Sequence, residues 1–241
     1  MFEIIKVANY EEMSDKAFEV MKEVVANNPK CVLGLATGSS PIGMYQRMIK
    51  DHQENGTSYE EVTTFNLDEY CGLPKSHPES YYSFMHRNLF SGLNIKEENV
   101  HIPEDGEDKE AKCKEYDAAM EEYSVDIQVL GIGSNGHIGF NEPGTPFDIK
   151  THIVTLKEST RKDNARFFND NIDEVPTHAI TMGIDTIMHA KKILVVASGA
   201  NKADAVAAMI NGAKDVECPA SVLQDHPNVV VVVDEAAASK L

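Results

Sequence analysis

Short apolar runs alternate with amphipathic stretches along the whole chain. Eight runs have the length and composition of strands: 2–7, 31–36, 62–67, 125–130, 152–156, 178–182, 192–198 and 229–233. Several of them, such as CVLGLA and VVVVV, are apolar at successive positions, as strands covered by helices on both faces must be. Between the first two, Met13, Ala17, Val20, Met21 and Val24 fall on one stripe, the spacing of an amphipathic helix over 10–27. Asn9 suits its N-cap, with Glu12 three residues on. Further helices are predicted at 41–54, 80–90, 107–123, 158–168, 200–211 and 234–240. Strands alternating with helices argue for one three-layer α/β sandwich over 1–241 with a mostly parallel central sheet.

In such a sheet ligands bind beyond the carboxyl ends of the strands. Four polar sets follow predicted strands and would gather there. The first is Thr37-Gly38-Ser39-Ser40-Pro41. Ser40 suits a helix cap, Pro41 the first helical position, and Gly38 a close backbone approach. The result is either a phosphate cradle at a helix N-terminus or a plain strand-to-helix turn. The second set begins at Asp68 in FNLDEY, a carboxylate that is either a structural cap or a catalytic base.

The third set is GIGSNGHIGFNEPG, residues 131–144. It contains GxGxxG, which after a strand raises a dinucleotide site. That site needs a helix starting within the motif, and Gly139, Pro143 and Gly144 follow instead, so the nucleotide reading is a minor alternative. His137 and Glu142 are five apart, and the glycines let the chain fold back so that the two meet. An imidazole titrates near neutral pH and suits acid/base work. The fourth set holds Lys202 in the first turn of a predicted helix, where a cation opposes the helix dipole unless an anion binds there. Arg166 lies in NARFF, within a weakly patterned stretch, 145–175, that reads as a lid able to close over a ligand.

The formal charge of −17 disfavours nucleic acid and anionic membrane as partners, and an anionic ligand would need positive potential concentrated at one point. Cysteines 31, 71, 113 and 218 form no CxxC pair, and the remaining histidines show no metal-ligand spacing, so neither a metal nor a disulfide framework is expected. The N-terminus carries no apolar leader, and the longest apolar runs fall far short of the roughly 20 residues of a membrane span. Reduced thiols and no leader point to the cytoplasm.

LGLATGSSP, FNLDEY, HPESYYSFMHRNLF, GIGSNGHIGFNEPG and NARFF, in this order, resemble the glucosamine-6-phosphate deaminase family over essentially the whole chain. The resemblance implies a Rossmann-like fold and a cofactor-free hydrolase of amino-sugar catabolism and N-acetylglucosamine utilisation. It would take D-glucosamine 6-phosphate and water to D-fructose 6-phosphate and ammonia. It implies ring opening by His137 with Glu142, and proton transfer from C2 to C1 by Asp68. It implies a phosphate site of Gly38, Ser39, Ser40, Arg166 and Lys202. Asn135 joins the catalytic set at a position where some relatives have aspartate, which implies a less basic His137. Allosteric relatives carry basic residues at the positions of His152 and Val154 and a longer C-terminal segment, so no activation by N-acetylglucosamine 6-phosphate is expected; monomer and homo-oligomer both stay open. The rival readings are a 6-phosphogluconolactonase-like hydrolase, which needs no C2 base, and a non-catalytic sugar-phosphate-sensing domain, which would be joined to a DNA-binding segment.

Overall fold

The computed structural model describes residues 2–241, apart from the side chains at 159 and 163. In chain order the elements are β1 (Phe2–Val7), α1 (Tyr10–Asn27), β2 (Val32–Leu35), α2 (Ile42–Asn55), β3 (Thr63–Asn66), β4 (Asp68–Tyr70), α3 (Tyr81–Asn88) and β5 (Val100–His101). There follow α4 (Lys109–Glu122), β6 (Ile127–Leu130), β7 (His152–Thr155), α5 (Glu158–Asn164), β8 (His178–Thr181), α6 (Ile184–Met188), β9 (Ile193–Ala197), α7 (Ala203–Asn211) and β10 (Val229–Asp234).

Seven strands form one sheet in the order β1-β10-β9-β6-β2-β3-β5, and each neighbouring pair is parallel. The inner strands β2, β6 and β9 are buried at every position, which is why they read as unbroken apolar runs. One face packs on Met13 and Met21 of α1, Met44 and Met48 of α2, and Met85 of α3. The other packs on Tyr116 and Met120 of α4, Ile187 of α6, and Val206 and Met209 of α7. The mostly parallel, three-layer reading therefore holds. Among the described residues no helix is long and apolar enough to cross a membrane.

Helix α1 starts where the cap pattern places it. Asn9 Oδ1 accepts the amide of Glu12 at 3.0 Å, and Glu12 Oε2 accepts the amide of Ala8 at 3.1 Å. Three expectations fail. Ser40 does not cap α2: the cap residue is Pro41, with no side-chain bond, and a tyrosine from α1 does the work instead, Tyr10 OH accepting the Gly43 amide at 2.9 Å. The predicted helix at 234–240 is a run of turns. Asp234 accepts the amide of Ala237 on Oδ1, while its carboxylate also holds Ser198 and Gly199, so the chain turns about that side chain. Finally, the runs at 152–156 and 178–182 are strands, but of a separate antiparallel sheet, β4-β8-β7. Tyr70 of β4 packs in one cluster with Phe140 and with Ala165, Phe168 and Val175 of the segment between β7 and β8.

Candidate active site

At Leu67 the chain changes sheets. Its amide donates to Leu35 O of β2 at 3.0 Å, and its carbonyl accepts the Met182 amide at 2.7 Å beyond β8. The next residue, Asp68, opens β4 opposite Thr181. This places a carboxylate at the carboxyl edge of the parallel sheet, close to where the strand order reverses between β6 and β2, the crevice in which such sheets bind ligands.

A cavity of ≈ 700 Å³ opens at this edge. Gly38, Ser39 and Ser40 after β2 line it, with Asp68, His137, Arg166 and Lys202. All four polar sets thus meet in one place. Gly38 has φ +91°, a backbone conformation that requires glycine. Lys202 ends a 3-10 turn that leads into α7. Arg166 lies over the Phe167 ring at 4.6 Å, on the segment between β7 and β8. Asn135 and Glu142 stand beside His137 rather than in the wall. Among the described residues no group of three or more His, Cys, Asp and Glu could hold a metal ion.

Asp68 and Glu69 are adjacent and buried, with different surroundings. Glu69 accepts the amides of Tyr81 and Tyr82 at 2.9 Å, anchoring the start of α3; burial still holds it above the usual carboxylate range. Asp68 faces the cavity, and burial, reinforced by the charge of Glu69, pushes it up to about 8. A carboxyl that titrates this close to neutrality can act as a base at physiological pH and return the proton it takes.

The glycine-rich stretch begins no helix, which removes the dinucleotide reading. It folds back on itself instead, with Gly136 at φ +84° and Gly139 at φ +56°. Asn141 Nδ2 pins the fold to Ile138 O and, across to the end of β8, to Met182 O. His137 Nδ1 lies 2.7 Å from Asn135 Oδ1 and 3.8 Å from Glu142 Oε2. Asn135 Nδ2 donates to Glu142 Oε2 at 2.8 Å. That bond turns the amide oxygen toward the ring, and because that oxygen only accepts, it favours the ring tautomer with its proton on Nδ1.

Sequence reasoning missed Tyr81, Thr160, Lys162 and Asn164, which also line the cavity. Three of these lie on α5, which carried no apolar periodicity to orient it. Asn164 Nδ2 donates to Tyr70 OH at 2.8 Å, and Tyr70 shares a hydrogen bond with Tyr81, which also bonds Thr37. Burial raises both tyrosines, so their hydroxyls stay protonated near neutral pH.

Residues 6–232 match the family described as glucosamine-6-phosphate isomerases/6-phosphogluconolactonase. The chain belongs to this family. Within the isomerase/lactonase family it is 51% identical over 240 residues to a glucosamine-6-phosphate deaminase of Halalkalibacterium halodurans, covering 99% of this chain and 97% of that one. Among solved structures, a monomeric glucosamine-6-phosphate deaminase superposes with a TM-score of 0.96 at 43% identity, over 99% of this chain and 100% of that one. The 6-phosphogluconolactonase of Trypanosoma cruzi superposes with a TM-score of 0.80 at 18% identity, over 100% and 97% of the two chains, a likeness of fold alone.

Proposed function

We propose that the chain converts D-glucosamine 6-phosphate and water to D-fructose 6-phosphate and ammonia. The observation that carries the reading is one cavity holding both a buried carboxyl, Asp68, and an imidazole backed by an amide and a second carboxylate. Similarity to deaminases at about half of all positions supports it.

The phosphate docks among Gly38, Ser39, Ser40, Arg166 and Lys202, the cationic point of an acidic protein. His137, held by Asn135 and Glu142, moves the proton between the anomeric hydroxyl and the ring oxygen, and the sugar opens to the aldehyde. Asp68 takes the proton from C2, which leaves an enolate across C1 and C2, and O1 takes up a proton from solvent to give the enol with the amine at C2. Return of a proton to C1 gives the C2 iminium. Water adds to that carbon and ammonia departs, leaving the ketose. The phosphate anchor lets remote binding energy hold C1 and C2 against Asp68. The segment 145–175 acts as a lid that brings Arg166 over the phosphate and excludes water.

The test is ammonia release from glucosamine 6-phosphate with fructose 6-phosphate measured beside it. Equal amounts of the two products are expected. Turnover of 6-phosphogluconolactone without ammonia release from the amino sugar would favour the lactonase reading, and binding without turnover the sensor.

Asn135 gives a second test. A carboxylate there would face the His137 ring and stabilise imidazolium, where the amide only accepts a hydrogen bond. Asn135→Asp should move the His137-dependent limb of the pH–rate profile upward. An unmoved profile would refute the assigned role of the amide.

A further inference from the structure

The two oxygens of Glu142 face different parts of the protein. Oε2 accepts from Asn135 Nδ2 at 2.8 Å, on the side of His137. Oε1 accepts from Thr160 Oγ1 at 2.8 Å, across a sequence gap of 18 residues, from α5. We propose that Thr160 is a positioning residue for His137. It fixes the rotation of the Glu142 carboxylate, which sets the Asn135 amide and through it the Nδ1-protonated state of the ring. The inference rests on the reading of His137 and Glu142 as the ring-opening pair.

A carboxylate held by one oxygen can pivot about the bond to its side chain. One held by both oxygens cannot. The donor itself is well braced. Thr160 is β-branched, which limits its rotamers. The residue after it, Arg161, clamps α5 by Nη2 donating to Ile172 O at 2.7 Å and Val175 O at 3.0 Å. Asn164 ties the far end of α5 to Tyr70 OH at 2.8 Å. The helix is therefore secured on both sides of Thr160 by bonds that do not involve Glu142. The consequence for the ring follows from the order of donors: Thr160 to Glu142, Asn135 to Glu142, His137 to Asn135. If Glu142 pivots, Asn135 keeps only the longer 3.2 Å bond from the His137 amide to its Oδ1 to orient its side chain. A flipped amide would then present Nδ2 to the ring and favour the other tautomer.

The experiment compares wild type with Thr160→Val, which keeps shape and removes the donor, and Thr160→Ser, which keeps the donor. The first readout is the His137 tautomer from ring ¹⁵N shifts of the ligand-free protein. The second is kcat and KM for glucosamine 6-phosphate. Wild type and Thr160→Ser should hold the proton on Nδ1, and Thr160→Val should show a mixture. The valine variant should lose about tenfold in kcat, the scale of one lost hydrogen bond to a carboxylate, with KM little changed, and serine should restore most of it. A wild-type tautomer in Thr160→Val would overturn the proposal whatever its turnover. Equal damage from valine and serine would overturn it too, because the hydroxyl would then be irrelevant. A wild type that releases no ammonia would remove the proposed reaction, and the tautomer comparison would still decide the role of Thr160.

Discussion

Asp68→Asn should abolish ammonia formation and, in the same protein, raise the melting temperature. The kinetic half follows from removing the only base proposed for C2. General-base catalysis is worth about 10²–10⁴-fold in rate, and an amide cannot take a proton. The stability half follows from burial. Asp68 is pushed up from 3.8 to about 8, chiefly by burial and then by the charge of Glu69. Between those two values the folded protein carries a proton that the unfolded chain has lost. Stability therefore falls as pH rises through that window, and the full cost is present above about pH 8. The amide removes the ionisation and with it the cost. Each tenfold change in proton affinity corresponds to about 1.4 kcal/mol, and relaxation around the charge leaves roughly 1–3 kcal/mol of the total. The variant should melt roughly 3–10 °C higher at pH 9, with little difference below pH 4. A variant melting no higher than wild type at pH 9 would refute the buried, raised carboxyl. In the wild type, kcat/KM should climb with pH toward about 8 as Asp68 ionises.

The parallel sheet was legible because its inner strands are apolar on both faces, and the site because its residues follow those strands. The exchange of sheets at Leu67 was not. FNLDEY reads as one strand with a polar end, and only the pairing of Asp68 with Thr181, distant in sequence, reveals two. The turns after Asp234 were missed for a related reason. Their alanines have high helix propensity, and a side chain already committed to Ser198 and Gly199 overrides it. Helix α5 is short and polar, so its existence could be read but not the face it turns to the cavity. Thr160 and Asn164 were invisible as contacts because each partner is remote: Glu142 and Tyr70. Resemblance to a family pointed to groups that the structure gathers at one cavity. It could not locate the groups that hold them.

Gly133→Ala should cost about 10²-fold in kcat without unfolding the protein, the scale of a displacement near 1 Å in a reacting group. A Cβ built on Gly133 falls 2.2 Å from Cε1 and Nδ1 of the His137 ring. The ring must leave. It can do so, because the His137 side chain is about a third exposed at 32% and can swing toward solvent. The backbone at Gly133 has no positive φ, so alanine fits its conformation. Displacing the ring breaks the 2.7 Å contact of Nδ1 with Asn135 Oδ1, and with it the link to Glu142. The melting temperature should stay close to that of wild type. A double-mutant cycle isolates the cause. In a His137→Ala background there is no ring to displace, so Gly133→Ala should add almost nothing to the loss. An equal further loss in that background would mean that the methyl group harms the substrate site directly. In that case the purpose of this glycine would be room for the sugar, and not room for the imidazole.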